Sequence, residues 1–93
     1  MTTTLLFRCK VPDFDAWLPK YEAAVGPLPE VLTYKVWRGQ DDPNAVTIIE
    51  TYESREVAEA LLNSPEMQAE IAAHDVDLSS IQVDWLDEAA ASG

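Results

Sequence analysis

Val31-Leu32-Thr33-Tyr34-Lys35-Val36-Trp37-Arg38 and Ala45-Val46-Thr47-Ile48-Ile49-Glu50-Thr51-Tyr52 are two runs rich in β-branched and aromatic residues. Between them lies Gly39-Gln40-Asp41-Asp42-Pro43-Asn44, a loop of turn formers. Runs of this kind on either side of such a loop predict a β-hairpin. In the first run Leu32, Tyr34, Val36 and Arg38 share one face, and Thr33, Lys35 and Trp37 the other. In the second, Val46, Ile48, Glu50 and Tyr52 oppose Ala45, Thr47, Ile49 and Thr51. Both faces carry large apolar groups, whereas a sheet wet on one side alternates more cleanly. The spacing therefore predicts cover on both faces, one by helices and the other by something outside the chain. A second copy is the simplest candidate.

Upstream, Leu5, Phe7, Cys9 and Val11 alternate with Thr4, Leu6, Arg8 and Lys10, which predicts a half-buried strand over Thr4–Val11. Pro12 stops it, and Asp13 or Asp15 can cap a helix. Phe14, Trp17, Leu18, Tyr21 and Val25 then form one helical stripe. Pro19 predicts a distorted first turn, and Gly26-Pro27-Leu28-Pro29 a firm end. Downstream of the hairpin, Ser54 can cap a helix with Val57, Ala58, Leu61 and Leu62 on its apolar side. Asn63-Ser64-Pro65 interrupts it. Ser64 suits a fresh N-cap, with Pro65 at the first helical position and Glu66 in the first turn. Met67, Ile71 and His74 continue an apolar face. Ser80–Leu86 reads as the last strand, with Ile81, Val83 and Trp85 inward. The order β-α-β-β-α-β predicts an α+β, ferredoxin-like split β-α-β fold, with a four-stranded antiparallel sheet and two helices on one face. The second helix is expected in two pieces.

Ninety-three residues make one domain, 1–93, with a frayed tail from about 88. A domain of this size buries a limited share of its surface, so oligomerisation would help it. A net charge of −11, from 17 acids against 6 bases, disfavours nucleic acid and anionic membrane as partners. Arg8, Lys10, Lys35 and Arg38 fall in the first two strands and make that region less acidic. One cysteine, Cys9, leaves no internal disulfide framework and fits a reducing compartment. No leader pattern opens the chain and no apolar run reaches membrane length. A cytoplasmic location is expected.

The order of elements and several local motifs resemble the dimeric α+β barrel superfamily, and within it the antibiotic-biosynthesis monooxygenases. The matching pieces are Val11-Pro12-Asp13-Phe14-Asp15-Ala16-Trp17, Tyr34-Lys35-Val36-Trp37-Arg38 with Asp41-Asp42-Pro43-Asn44, Ile49-Glu50-Thr51-Tyr52-Glu53-Ser54, and Leu62-Asn63-Ser64-Pro65-Glu66-Met67. The resemblance spans roughly Thr3–Asp87. It implies a homodimer whose sheets close a barrel, and a ligand pocket in each protomer between sheet and helices. Haem-degrading members use an asparagine, a tryptophan and a histidine where this chain has Phe7, Leu61 and Ile71, so haem is not expected. In the cofactor-independent oxygenases, aromatic and polar groups hold a polyphenolic substrate whose anion reduces dioxygen directly.

His74, Tyr21 and Trp17 are the candidate catalytic residues on this resemblance, and Phe7, Arg8, Tyr34 and Trp85 the candidate ligand contacts. No cofactor and no metal are expected, since one histidine is thin for a metal site. Each candidate also has a plainer role. An aromatic stripe at helical spacing packs a core, His74 at a helix end can cap, and Cys9 is a small core residue. Glu50, on a strand face with Val46, Ile48 and Tyr52, needs a partner if buried, with Arg8 or Arg38 in reach across the strands. Two functions follow. One is a homodimeric oxygenase of small aromatic or polyketide-type substrates; the other is a non-catalytic dimeric module that binds a small hydrophobic ligand or only assembles.

Overall fold

Strand β1 (Thr3–Lys10) sits between β3 (Ala45–Tyr52) and β4 (Asp77–Leu86), and β2 (Val31–Arg38) pairs with the outer edge of β3. The sheet order is β2-β3-β1-β4 and every pairing is antiparallel. In this computed structural model, which describes residues 2–93, the chain adds three helices: α1 (Phe14–Val25), α2 (Arg55–Leu62) and α3 (Pro65–Ala73). The expected α+β class and ferredoxin-like order are present, with the second helix split in two at Asn63-Ser64.

Register sets which residues meet. Leu5 lies opposite Glu50 and Trp85, Phe7 opposite Ile48 and Val83, and Cys9 opposite Val46. Because side chains alternate along a strand, these residues share the face that the helices cover. Under α1 the stripe Phe14, Trp17, Tyr21 and Val25 buries against Cys9, Val46 and Ile48. A second cluster under α2 joins Leu5, Tyr52 and Ala58, all at most 1% exposed. Burying a leucine or tyrosine side chain this fully stabilises by about 1.5–3 kcal/mol.

The helix starts follow the capping residues. Asp13 accepts from the Asp15 and Ala16 amides, Ser54 from Val57 and Ser64 from Met67. Asn44, at the end of the hairpin loop, accepts from the Val11 amide through its carbonyl and from the Phe14 amide through its side chain. The two stretches Val11–Phe14 and Asp41–Asn44 are thereby stapled together. Pro19 does not distort the first turn, whose Trp17 amide bonds the Asp13 carbonyl at 3.0 Å. It lies one turn further on and removes only the bond that Asp15 would have accepted.

Two readings of the strands need correction. The register of β2 shifts between Val31 and Thr33, so Val31 pairs with Tyr52 and faces the core. Leu32 is the extra residue and is 52% exposed, so it does not share the face of Tyr34 and Val36. Strand β4 begins at Asp77 rather than Ser80, after a second shift between Arg8 and Lys10 on β1. There Asp77 accepts from the amide and hydroxyl of Ser79, and the Ser80 hydroxyl accepts from the Lys10 amide.

The opposite face of the sheet has no helix. It carries Thr4, Leu6, Arg8, Lys35, Ile49 and Trp37, with Trp37 56% exposed. Among the described residues no helix is long and apolar enough to cross a membrane.

Candidate functional site

Between the helices and the covered sheet face lies a cavity of about 60 Å³. The sheet contributes Phe7, Cys9, Ile48, Glu50 and Tyr52, and α1 contributes Trp17, Tyr21 and Val25. The outer wall is Leu61 and Leu62 of α2, Met67, Glu70 and Ile71 of α3, and His74 just beyond it. This volume holds a few waters, while an apolar cavity of about 150 Å³ is needed to take up benzene. A ring therefore enters only if the wall shifts. None of the residues of α3 is fully buried, which makes it the wall most easily displaced.

One polar cluster stands at the sheet. Glu50 is 6% exposed, and its two carboxylate oxygens are each occupied by a tyrosine. The Tyr21 hydroxyl donates to Oε2, and the Tyr52 hydroxyl donates to Oε1 at 2.5 Å. Burial first, then the charge of Glu50 and the hydrogen bond to it, push both hydroxyls far above the usual tyrosine range. Both tyrosines are thus fixed as neutral donors, and neither can serve as a phenolate base. The expected partners of Glu50, Arg8 and Arg38, are not its partners. Arg8 points to the open face, and Arg38 lies over the Phe14 ring at 4.6 Å, beside Asp15. Glu50 and Tyr52 lie two apart on one strand face, a signal present in the sequence, while Tyr21 comes from the buried stripe of α1. An acid among apolar residues suggested a cation, when two hydroxyls meet the same demand at lower desolvation cost.

A second polar pair stands on the outer wall. His74 Nε2 lies 3.0 Å from Glu70 Oε2, one helical turn back. At this distance the Nε2–H of His74 donates to the Glu70 carboxylate. The His74 side chain is 13% exposed, so the residue both ends α3 and lines the cavity. Asp75 follows it with φ 58°, the left-handed turn that closes the helix.

The candidate residues divide by position. Phe7, Trp17, Tyr21 and His74 line this same cavity. Trp17 stacks on Tyr21 with centroids 5.1 Å apart, and Tyr34 meets Tyr21 edge-on at 5.6 Å, behind the cavity wall. Arg8 is on the open sheet face. Trp85 packs in the second cluster with Arg55 4.9 Å above its ring. Phe7, Leu61 and Ile71 all line the cavity. Burial pushes the Cys9 thiol up to about 11, so it is a packed core residue. Among the described residues no three His, Cys, Asp or Glu side chains converge as a metal site would need.

An antiparallel β2-β3-β1-β4 sheet with a cavity under its helices defines the class, a ferredoxin-like α+β protein with an internal pocket. The chain belongs to the antibiotic biosynthesis monooxygenase family, whose family model matches residues 7–73. Among solved structures it is similar to a protein of Chloroflexus aurantiacus assigned to the same monooxygenases, at 21% identity, covering 100% of this chain and 98% of that one, with a TM-score of 0.75. It is also similar to SnoaB, a cofactor-independent oxygenase from Streptomyces nogalater, at 14% identity, 97% and 95% coverage and a TM-score of 0.76. A conserved protein of Methanosarcina mazei shares 9% identity over 92% and 91%, with a TM-score of 0.72. At these identities the likeness is one of fold. No curated protein matches the sequence.

Proposed function

We propose that the protein is a homodimeric, cytoplasmic, cofactor-independent oxygenase of a small hydroxyaromatic or anthrone-type substrate, bound between the helices and the sheet. The observation that carries this reading is the cavity itself, which joins an aromatic wall of Trp17, Tyr21 and Phe7 to a carboxylate-held histidine. His74, with Nε2 held by Glu70, takes the substrate proton on Nδ1. It then becomes the one positive charge that the cavity lining can acquire and pairs with the substrate anion. That anion passes an electron to dioxygen; radical and superoxide join as a hydroperoxide, and loss of water leaves a ketone. Dioxygen is the sole oxidant, so an anthrone CH2 becomes C=O with one water released. Trp17 holds the ring by stacking and Tyr21 holds Glu50. Accommodating the substrate requires α3 to move outward, as the small volume implies.

Dioxygen uptake with anthrones and hydroquinones tests the reading. His74→Ala is expected to lower kcat by about 10²–10⁴-fold, the usual worth of a general base, with the unfolding midpoint little changed. Equal turnover by His74→Ala and the unaltered protein would remove the histidine from the mechanism. The second reading, a non-catalytic binding dimer, is favoured by one observation: at about 60 Å³ the cavity is too small for a whole ring until the wall moves. Ligand binding with no dioxygen uptake would select it.

A further inference from the structure

We propose that the sheet-side end of the cavity is an acceptor-only platform, Glu50 held by Tyr21 and Tyr52, that selects neutral hydroxyl-bearing aromatic ligands and rejects carboxylates. This rests on the reading of the cavity as the ligand site, and not on any turnover there. A carboxylate offers about four lone-pair positions, and the two tyrosines fill two. Both tyrosine protons are committed to Glu50, so what the cluster still presents to the cavity is acceptance. Across the space, Glu70 already occupies the Nε2 proton of His74. Apart from the Trp17 indole N–H, the side-chain donors of the lining are thus engaged.

Charge agrees with this. None of the six lysines and arginines lines the cavity. Arg8, Lys10 and Lys35 belong to the open sheet face, Arg38 to Phe14 and Asp15, Arg55 to Glu59 and Trp85, and Lys20 to the exposed side of α1. The lining instead holds two acids, Glu50 and Glu70. An entering carboxylate would lose its water beside a buried acid with no lysine or arginine in reach, which low dielectric makes costly. A neutral hydroxyl loses far less water and gains a charge-assisted hydrogen bond. Stacked Trp17 and Tyr21 supply the apolar face that a ring requires. An ammonium would find the same acceptors, but only by carrying a full charge out of water to reach them.

NMR titration of the unaltered protein with phenol, anisole, benzoate and benzylammonium, followed at the Trp17 indole and the Ile71 methyls, tests the platform. Phenol should bind about tenfold more tightly than anisole, the worth of one hydrogen bond to a charged group, and more tightly than either ion. Tyr21→Phe leaves Oε2 without its protein donor, so phenol should tighten and anisole should not. Glu50→Gln brings an amide donor and should bring phenol and anisole within about threefold of each other. If that variant fails to fold, the Tyr21→Phe arm decides alone. Equal binding of phenol and anisole, tighter binding of benzoate or benzylammonium, silence at Trp17, or an unchanged phenol preference in Tyr21→Phe would each overturn the proposal. Donor preference without dioxygen uptake would defeat the oxygenase reading alone, and anthrone turnover without donor preference would defeat the platform alone.

Discussion

Glu50 shows how a small acidic protein keeps a buried acid. Its two tyrosine donors lie on different elements, so the cluster ties α1 to the end of β3. Removing one hydroxyl leaves an unsatisfied buried oxygen, which costs about 1–3 kcal/mol. Tyr52→Phe is expected to lower stability in chemical denaturation by that amount. The same bonds have a pH signature. In the folded chain both hydroxyls titrate far above the usual range, while in the unfolded chain they titrate near 10. Their contribution is therefore full below about pH 10 and is lost as pH rises beyond it, by about 1.4 kcal/mol per pH unit for each tyrosine. Tyr21→Phe should reduce the alkaline slope of unfolding free energy by one proton; an unchanged slope would mean that Tyr21 ionises in the folded state. This cluster was only half legible in the sequence. That Glu50 needed a partner followed from its apolar neighbours. Which partner did not, because Tyr21 lies 29 residues away and helix rotation over the sheet sets the meeting.

At the level of elements, local rules and tertiary pairing contributed differently. Capping residues and strand periodicity placed the hairpin strands at Val31–Arg38 and Ala45–Tyr52, and predicted the break at Ser64-Pro65. The strands are misread at the two register shifts, at Leu32 and at the start of β4, where pairing with a neighbour overrides alternation. The turn after α3 carries a further consequence. Asp75 is the one described non-glycine residue with positive φ, and it directs the chain from His74 into β4. Asp75→Gly is expected to hold or raise stability by about 0.5–1 kcal/mol, and Asp75→Val to lower it by about 1–2 kcal/mol. Thermal unfolding distinguishes these outcomes. Equal effects of the two substitutions would show that the left-handed turn is not maintained in solution.

Over the whole molecule, the two faces of the sheet have separate tasks. The covered face supplies the core and cavity; the open face leaves Trp37 and Leu86 exposed beside half-buried Leu6 and Ile49. Apolar residues on both faces of the hairpin were visible in the sequence, and the structure assigns Tyr34, Val36, Glu50 and Tyr52 to the helix side. Cover of the open face by a second copy is the proposed assembly. Trp37→Glu would place a charge in that interface and should shift sedimentation from dimer to monomer, while a monomeric unaltered protein would refute the assembly. The central claim concerns the other face, where a ligand would lie between Trp17 and His74. Intermolecular nuclear Overhauser effects from a bound anthrone measure this directly. The account predicts contacts from its ring protons to Trp17, Phe7 and Ile71. Contacts instead to Trp37 and Ile49 on the open face, with silence at Trp17, would contradict it.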